Sequence, residues 1–348
     1  MGVAGDVTAP QPCRGSRRFD PTIWCRRTVA DKPKATMQDQ HHDRSSPTAR
    51  NGSRDGPASV YVKAPDGLRL HVQCHGRRMP GRLPVVCLPG LTRAAGDFDA
   101  LAQALATDAE APRQVLAVDY RGRGLSEYDA DPMNYTLATE LGDLLAVLTA
   151  LEVAEAVFVG TSRGGLLTML LATARPTAIA GAVLNDIGPV IELTGLVRIK
   201  SYVGKLPRPQ SFEEGAEVLR RLFGSQFPKL TDDDWIGYSR RTFKVDKRGM
   251  APLYDVRLAK TLDGLEFDRP VPPMWREFDA LGRVPMMVIR GANSDLLSQE
   301  TVAAMAARRN GLETVIVPDQ GHAPLLTAPD LIARIAAFVA SCETAHGT

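Results

Sequence analysis

From residue 58 onward the chain repeats one pattern, in which a short run of apolar, often β-branched residues meets a turn and then a longer stretch with helical spacing. Eight such runs predict strands: Val60–Lys63, Leu68–Gln73, Pro84–Leu88, Val115–Val118, Ala156–Val159, Ala180–Leu184, Met286–Ile289 and Thr314–Val317. The first two flank Pro65-Asp66-Gly67, a turn sequence that predicts an opening β-hairpin. Helical spacing fills most of the other gaps, as in Leu137–Leu151 and Thr301–Arg309. Strands that are apolar throughout must be covered on both sides. The pattern therefore predicts an α/β fold, with a mostly parallel eight-stranded sheet between two layers of helices. At 348 residues the chain has room for one large domain of this kind or two ordinary ones.

Two stretches break the pattern. Residues 190–280 contain helical spacing, two proline-rich breaks and many aromatics, but no clear strand. An insertion of that length inside an α/β sheet is expected to form a helical cap, dividing the core into residues 57–189 and 281–348. Residues 1–56 carry ten Lys/Arg and six Asp/Glu and lack apolar periodicity, so a disordered extension is expected. A twin-arginine export signal at Arg17-Arg18 is rejected because no apolar stretch follows. Translation starting at Met37 is the plainer alternative for this segment.

The overall charge of +2 argues against a basic nucleic-acid surface. No apolar run approaches the roughly 18 residues needed to span a bilayer. The five cysteines (Cys13, Cys25, Cys74, Cys87 and Cys342) are scattered and lack the CxxC spacing of a structural zinc site. The expectation is a cytoplasmic protein without metal or cofactor, acting on a small molecule, with neither nucleic acid nor membrane as partner. Its oligomeric state is left open.

The strongest chemical signal is Gly160-Thr161-Ser162-Arg163-Gly164-Gly165, between a predicted strand and a predicted helix. A serine at so sharp a turn is held in a strained conformation above the sheet, facing the positive end of the helix. Ser162 is the candidate nucleophile. Of the six histidines, His41 and His42 fall in the extension, His346 in the carboxyl-terminal tail, and His71 and His75 in the opening hairpin. His322 follows the last predicted strand in Asp319-Gln320-Gly321-His322, where ligands of α/β sheets bind, and is the candidate base. Two aspartates stand at strand ends as candidates to orient it, Asp295 and Asp186. Asp295 is favoured because its strand directly precedes that of His322; Asp186 would then cap the exit into the insertion. The backbone N–H groups of Arg163 and of Leu91, in Pro89-Gly90-Leu91-Thr92, are the candidate oxyanion donors.

These motifs, with Leu88-Pro89-Gly90-Leu91 and Asp119–Ser126, resemble the α/β-hydrolase superfamily from about Ala58 to Ser341, and within it the esterase and enol-lactonase group. The resemblance implies an α/β-hydrolase sheet and a Ser162–Asp295–His322 triad, with Leu91 and Arg163 as oxyanion hole. It assigns Asp119–Ser126 to a structural turn. Pro89 stands where many relatives have histidine, and the Arg163 side chain is expected to face solvent or the cap. The implied activity is hydrolysis of a carboxylic ester or lactone through an acyl-enzyme. Carbon–carbon hydrolysis of ring-fission diketones and a non-catalytic small-molecule receptor are the alternatives. An epoxide hydrolase or dehalogenase would have aspartate at position 162, and nothing indicates the amino-terminal recognition of a proline-releasing peptidase. The cap aromatics Trp235, Tyr238, Phe243, Tyr254, Trp275 and Phe278 are expected mostly to pack the cap's small core and its seam with the sheet, a subset lining the pocket. Between Ile191 and Gly282, 16 Lys/Arg against 14 Asp/Glu point to no strongly anionic substrate, though a single arginine reading a carboxylate fits this balance.

Overall fold

The computed structural model describes residues 56–264 and 270–344. The expected disordered extension (all but Gly56), Met37, Cys13, Cys25, His41, His42 and His346 lie outside the described residues. Strands β1 (Ala58–Lys63) and β2 (Arg69–His75) form the opening hairpin, followed by β3 (Val85–Leu88), α1 (Asp99–Ala106) and β4 (Val115–Val118). Next come α2 (Leu137–Ala150), β5 (Ala156–Thr161), α3 (Arg163–Ala174) and β6 (Ile179–Asn185). An insertion carries α4 (Leu193–Tyr202), α5 (Phe212–Phe223), α6 (Asp232–Arg240), the strands β7 (Phe243–Asp246) and β8 (Gly249–Pro252), and α7 (Trp275–Ala280). The chain then returns through β9 (Met286–Gly291), α8 (Gln299–Arg308), β10 (Glu313–Val317) and α9 (Pro329–Thr344).

Eight strands form one sheet in the order β1-β2-β4-β3-β5-β6-β9-β10. β1–β2 and β2–β4 are antiparallel and every later pairing is parallel. Every residue of β3, β4, β6 and β9 is buried, which is why these runs read as continuously apolar. β1, at the edge, is mostly exposed. Side chains alternate along β3 between two cores: Val86 and Leu88 face the α2–α3 side, while Val85 and Cys87 face the α1–α9 side. Polar signals start the helices. Thr136, Ser211 and Ser298 cap α2, α5 and α8 with their hydroxyls, and Thr231 and Asp234 form a reciprocal capping box on α6.

The insertion differs from its sequence reading. Lys244 to Ala251 form an antiparallel hairpin with Phe243 paired to Pro252, although no strand is predicted there. Its sequence, Phe243-Lys244-Val245-Asp246, has one side chain facing the insertion's small core and three exposed, too short an alternation to read alone. That small core contains Leu219, Phe223, Phe227, Trp235, Phe243 and Met250. Trp275 and Phe278 pack onto the main core beside the sheet, not into the insertion's small core.

Candidate active site

Ser162 sits between β5 and α3 with φ 52° and ψ −113°, a backbone region that non-glycine residues seldom occupy. Close packing enforces this turn. A Cβ at Gly160 would lie 2.5 Å from the backbone of Gly164, and one at Gly164 would run into the Leu88 carbonyl oxygen. Strand, turn and helix meet too tightly for any side chain at these two positions. The hydroxyl is thereby held above the carboxyl ends of the parallel strands, beside the loop that follows β3.

His322 lies in the loop after β10, and its Nε2 is 2.8 Å from Ser162 Oγ. Its Nδ1 is 2.8 Å from Oδ2 of Asp186, not of Asp295. A carboxylate only accepts, so Nδ1 carries the proton and Nε2 is left to accept from the serine hydroxyl. Asp186 follows β6 with φ 55° and is fully buried. Its Oδ1 accepts the Gly291 N–H at 2.7 Å, and its Oδ2 also accepts the Ser294 hydroxyl at 2.6 Å. Its own N–H donates to the Ile289 carbonyl.

The favoured partner for His322 therefore needs correction. Asp295 spends both carboxylate oxygens on Arg198 of α4, at 2.6 and 2.8 Å, and its side chain is 22% exposed. Burial pushes its carboxyl up, but the Arg198 hydrogen bonds outweigh this and hold its pKa below the ordinary value. Strand adjacency misled the sequence reading: β6 lies between β5 and β9 in the sheet, so the end of β6 is nearer the centre. The loop after β9 still contributes, through Ser294 and Gly291 rather than Asp295. A buried strand that ends directly in Asn185-Asp186 was the available signal.

The N–H groups of Leu91 and Arg163 donate to no acceptor among the described residues, and Leu91 lines the cavity in front of Ser162 and His322. The Arg163 side chain faces neither solvent nor the insertion. Its Nε meets Glu140 Oε2 at 2.5 Å, and its Nη2 donates to the Tyr135 carbonyl. Glu140, completely buried on α2, also ion-pairs Arg123 Nη1 at 2.9 Å, and Arg123 Nε donates to the Leu91 carbonyl at 2.9 Å. One carboxylate thus links, through two arginines, the Leu91 loop and the residue that follows Ser162. Burial lowers the Arg123 pKa, an effect the Glu140 charge opposes. Sequence reasoning missed Glu140 because an acidic residue in the first turn of a helix looks like an ordinary dipole partner.

The Asp119–Ser126 turn is built on buried charge. Asp119 accepts from His71 Nδ1 at 2.7 Å and from the Ala95 N–H, so His71 is a core residue. Arg121 binds Asp143 and Asp129. Of the aromatics singled out in the sequence, Tyr238 and Tyr254 line the cavity, joined by Tyr202 and Phe223, while Trp235 and Phe243 pack within the insertion. Among the described residues, no three His, Cys, Asp or Glu side chains converge to hold a metal ion. No helix among them is long and apolar enough to cross a membrane.

A hydroxyl, an imidazole and a carboxylate joined in this order can pass a proton from the oxygen to the ring as the oxygen attacks. Known proteins carry the same scaffold. The alpha/beta hydrolase family model matches residues 85–335. A 3-hydroxybutyrate-oligomer hydrolase from Cupriavidus necator is 36% identical over 261 residues, covering 72% of this chain and 85% of its own. A 2-(acetamidomethylene)succinate hydrolase from Mesorhizobium japonicum is 27% identical, covering 62% and 74%. The crystal structure of an alpha/beta hydrolase from Novosphingobium aromaticivorans matches with a TM-score of 0.75 and 41% identity, over 82% of this chain and 98% of that one. With the family model matching well over half of the sequence, and the eight-stranded sheet carrying the strand-to-helix serine turn, the chain belongs to the alpha/beta hydrolase family and is a hydrolase.

Proposed function

We propose that this protein is a serine hydrolase of carboxylic esters, with Ser162 as nucleophile, His322 as proton carrier and Asp186 as the orienting carboxylate. The observation that carries the reading is the unbroken chain of hydrogen bonds Ser162 Oγ–His322–Asp186, with 2.8 Å on either side of the ring. Ser162 attacks the acyl carbon while His322 Nε2 takes its proton, and the buried Asp186 charge stabilises the imidazolium that results. The Leu91 and Arg163 N–H groups receive the oxyanion. The acyl–oxygen bond then breaks, His322 returns the proton to the departing alcohol, and water attacks the acyl-enzyme by the same route.

Esters of hydroxyalkanoic acids are the substrate class favoured here, because the Cupriavidus relative is a 3-hydroxybutyrate-oligomer hydrolase and covers most of both chains. Simple lactones require the same chemistry with a tethered leaving group. Residues 190–280 act as the cap, closing the cavity with Tyr202, Phe223 and Tyr238. The test is a fluorophosphonate probe followed by peptide mass spectrometry, with a panel of linear esters, lactones and a vinylogous diketo acid. An adduct on Ser162, preferential turnover of linear esters, and a loss of about 10⁶-fold in Ser162→Ala are expected. No adduct, or turnover of the diketo acid alone, would overturn the ester reading.

A further inference from the structure

The cavity in front of Ser162 is mostly apolar and aromatic but holds three charged side chains besides His322: Arg93, Arg241 and Asp97. With the histidine neutral, two cations face one anion. Arg93 follows closely on the Leu91 loop. Its Cγ and the Cβ of Ser162 lie 3.3 and 3.9 Å from the point where a Gly90 Cβ would sit, so it stands beside the nucleophile. Its guanidinium is fixed on every side. Nε and Nη2 bind the two oxygens of Asp97 at 2.7 and 2.5 Å, Nη1 donates to Thr242 Oγ1, and the group lies 4.6 Å from the Tyr238 ring centroid. Burial opposes its charge, but Asp97 more than compensates and raises its pKa.

Arg241, just past the end of α6, is different. Its guanidinium makes no hydrogen bond among the described residues; its near ion contact is Asp97 at 3.7 Å, already gripped by Arg93, while the Asp99 charge acts on it from farther off. Its side chain is 23% exposed, so it is neither free in solvent nor satisfied by protein. A guanidinium that only shares a carboxylate at 3.7 Å, with no hydrogen bond of its own, keeps its donors for a further anion in a largely apolar cavity. The planar fork of a guanidinium matches a carboxylate.

We propose that Arg241, backed by the rigid Arg93–Asp97 pair, binds a free carboxylate carried on the leaving alcohol of the substrate. This rests on the ester-hydrolase reading and narrows it. In a linear oligomer of a 3-hydroxy acid, the free carboxylate belongs to the residue that departs as alcohol when the last ester is cut. Seating it on Arg241 brings that ester to Ser162. The Ser162 Oγ–acyl bond forms, the acyl–alkoxide bond breaks, and the alkoxide takes the His322 proton and leaves as one hydroxy acid. Water then releases the shortened chain, whose new carboxylate is ready for the next cycle.

The experiment compares kcat/KM on linear 3-hydroxybutyrate dimer and trimer as free acids and as methyl esters, in wild type, Arg241→Gln and Arg241→Lys. Wild type is expected to favour the free acids by about tenfold to a hundredfold, the range of a charge-assisted hydrogen bond. The ratio should fall to near one in Arg241→Gln, mostly through KM, and stay intermediate in Arg241→Lys. Because each ratio is internal to one variant, general damage to the protein cancels. Equal rates on acid and methyl ester in wild type, or an undiminished ratio in Arg241→Gln, would overturn the proposal. Hydrolysis of p-nitrophenyl butyrate, which has no carboxylate, tests the ester reading separately. Calorimetry of free-acid trimer binding to Ser162→Ala, with and without Arg241→Gln, decides the carboxylate site even without turnover: at least about tenfold weaker binding in the double variant supports it, and unchanged binding refutes it.

Discussion

Asp186 and Asp295 end neighbouring strands, yet their surroundings have opposite characters. Asp186 is fully buried and receives the Gly291 N–H, the Ser294 hydroxyl and the His322 ring. Asp295, a residue after that same serine, leans outward to Arg198 of α4. One carboxylate is fixed by the sheet, the other by the insertion. The difference lies in the counter-ion: Asp295 already pairs with an arginine, whereas the one ion partner of Asp186 among the described residues is His322, so position along a neighbouring loop matters less than which carboxylate is without an arginine.

Substitutions at the two aspartates break this comparison most directly. Asp186→Asn should lower kcat by about 10⁴-fold, because the amide no longer holds the ring in the right tautomer or offsets its charge. Steady-state kinetics beside a circular dichroism check of folding measures this, and a loss below about tenfold would point back to Asp295. Glu140→Gln comes next in size. It leaves Arg123 buried and Arg163 partly buried with their shared counter-charge gone and should cost about 3–5 kcal/mol of stability in denaturant unfolding, as expected when one partner of a buried ion pair is removed. An unfolding free energy within about 1 kcal/mol of wild type would show that the link between the two loops is dispensable.

Asp295→Asn should cost only ~1 kcal/mol, since its pair with Arg198 is partly open to solvent, and kcat should change by less than about tenfold. The smallest effect concerns acid. Asp295 has a folded pKa below its unfolded one, so its contribution is present above the unfolded value and is lost as pH falls through the lower folded value. Wild type and Asp295→Asn should therefore converge in stability on the acid side of the ordinary carboxylate pKa, in thermal melts taken as a pH series. A gap that persists unchanged at the lowest pH would separate the stabilisation from the Asp295 charge.

Much of the fold was legible in the sequence because each strand answers to a local rule. Val85–Leu88 and Met286–Ile289 are apolar throughout because both of their faces are covered, and Pro65-Asp66-Gly67 turns the hairpin without distant help. The hairpin at Phe243–Pro252 escaped because one buried side chain among three exposed ones makes no pattern. At the site, Ser162 and His322 were readable from glycine spacing and the scarcity of histidine. The partner of the ring was not, because the arginine that occupies Asp295 lies 97 residues away on the inserted α4.

The sequence by itself determined the sheet, the strand-to-helix turn at Ser162 and the histidine beyond the last strand, since these depend on burial and backbone freedom within a few residues. Tertiary structure alone decided which aspartate meets His322, that Arg163 turns inward to Glu140, and that Arg241 is left short of a partner inside the cavity. Each of those outcomes is a competition among charges brought together from distant segments. The carboxylate that an arginine claims with both oxygens, Asp295, is thereby kept from the histidine ring, and Asp186 is left to meet it.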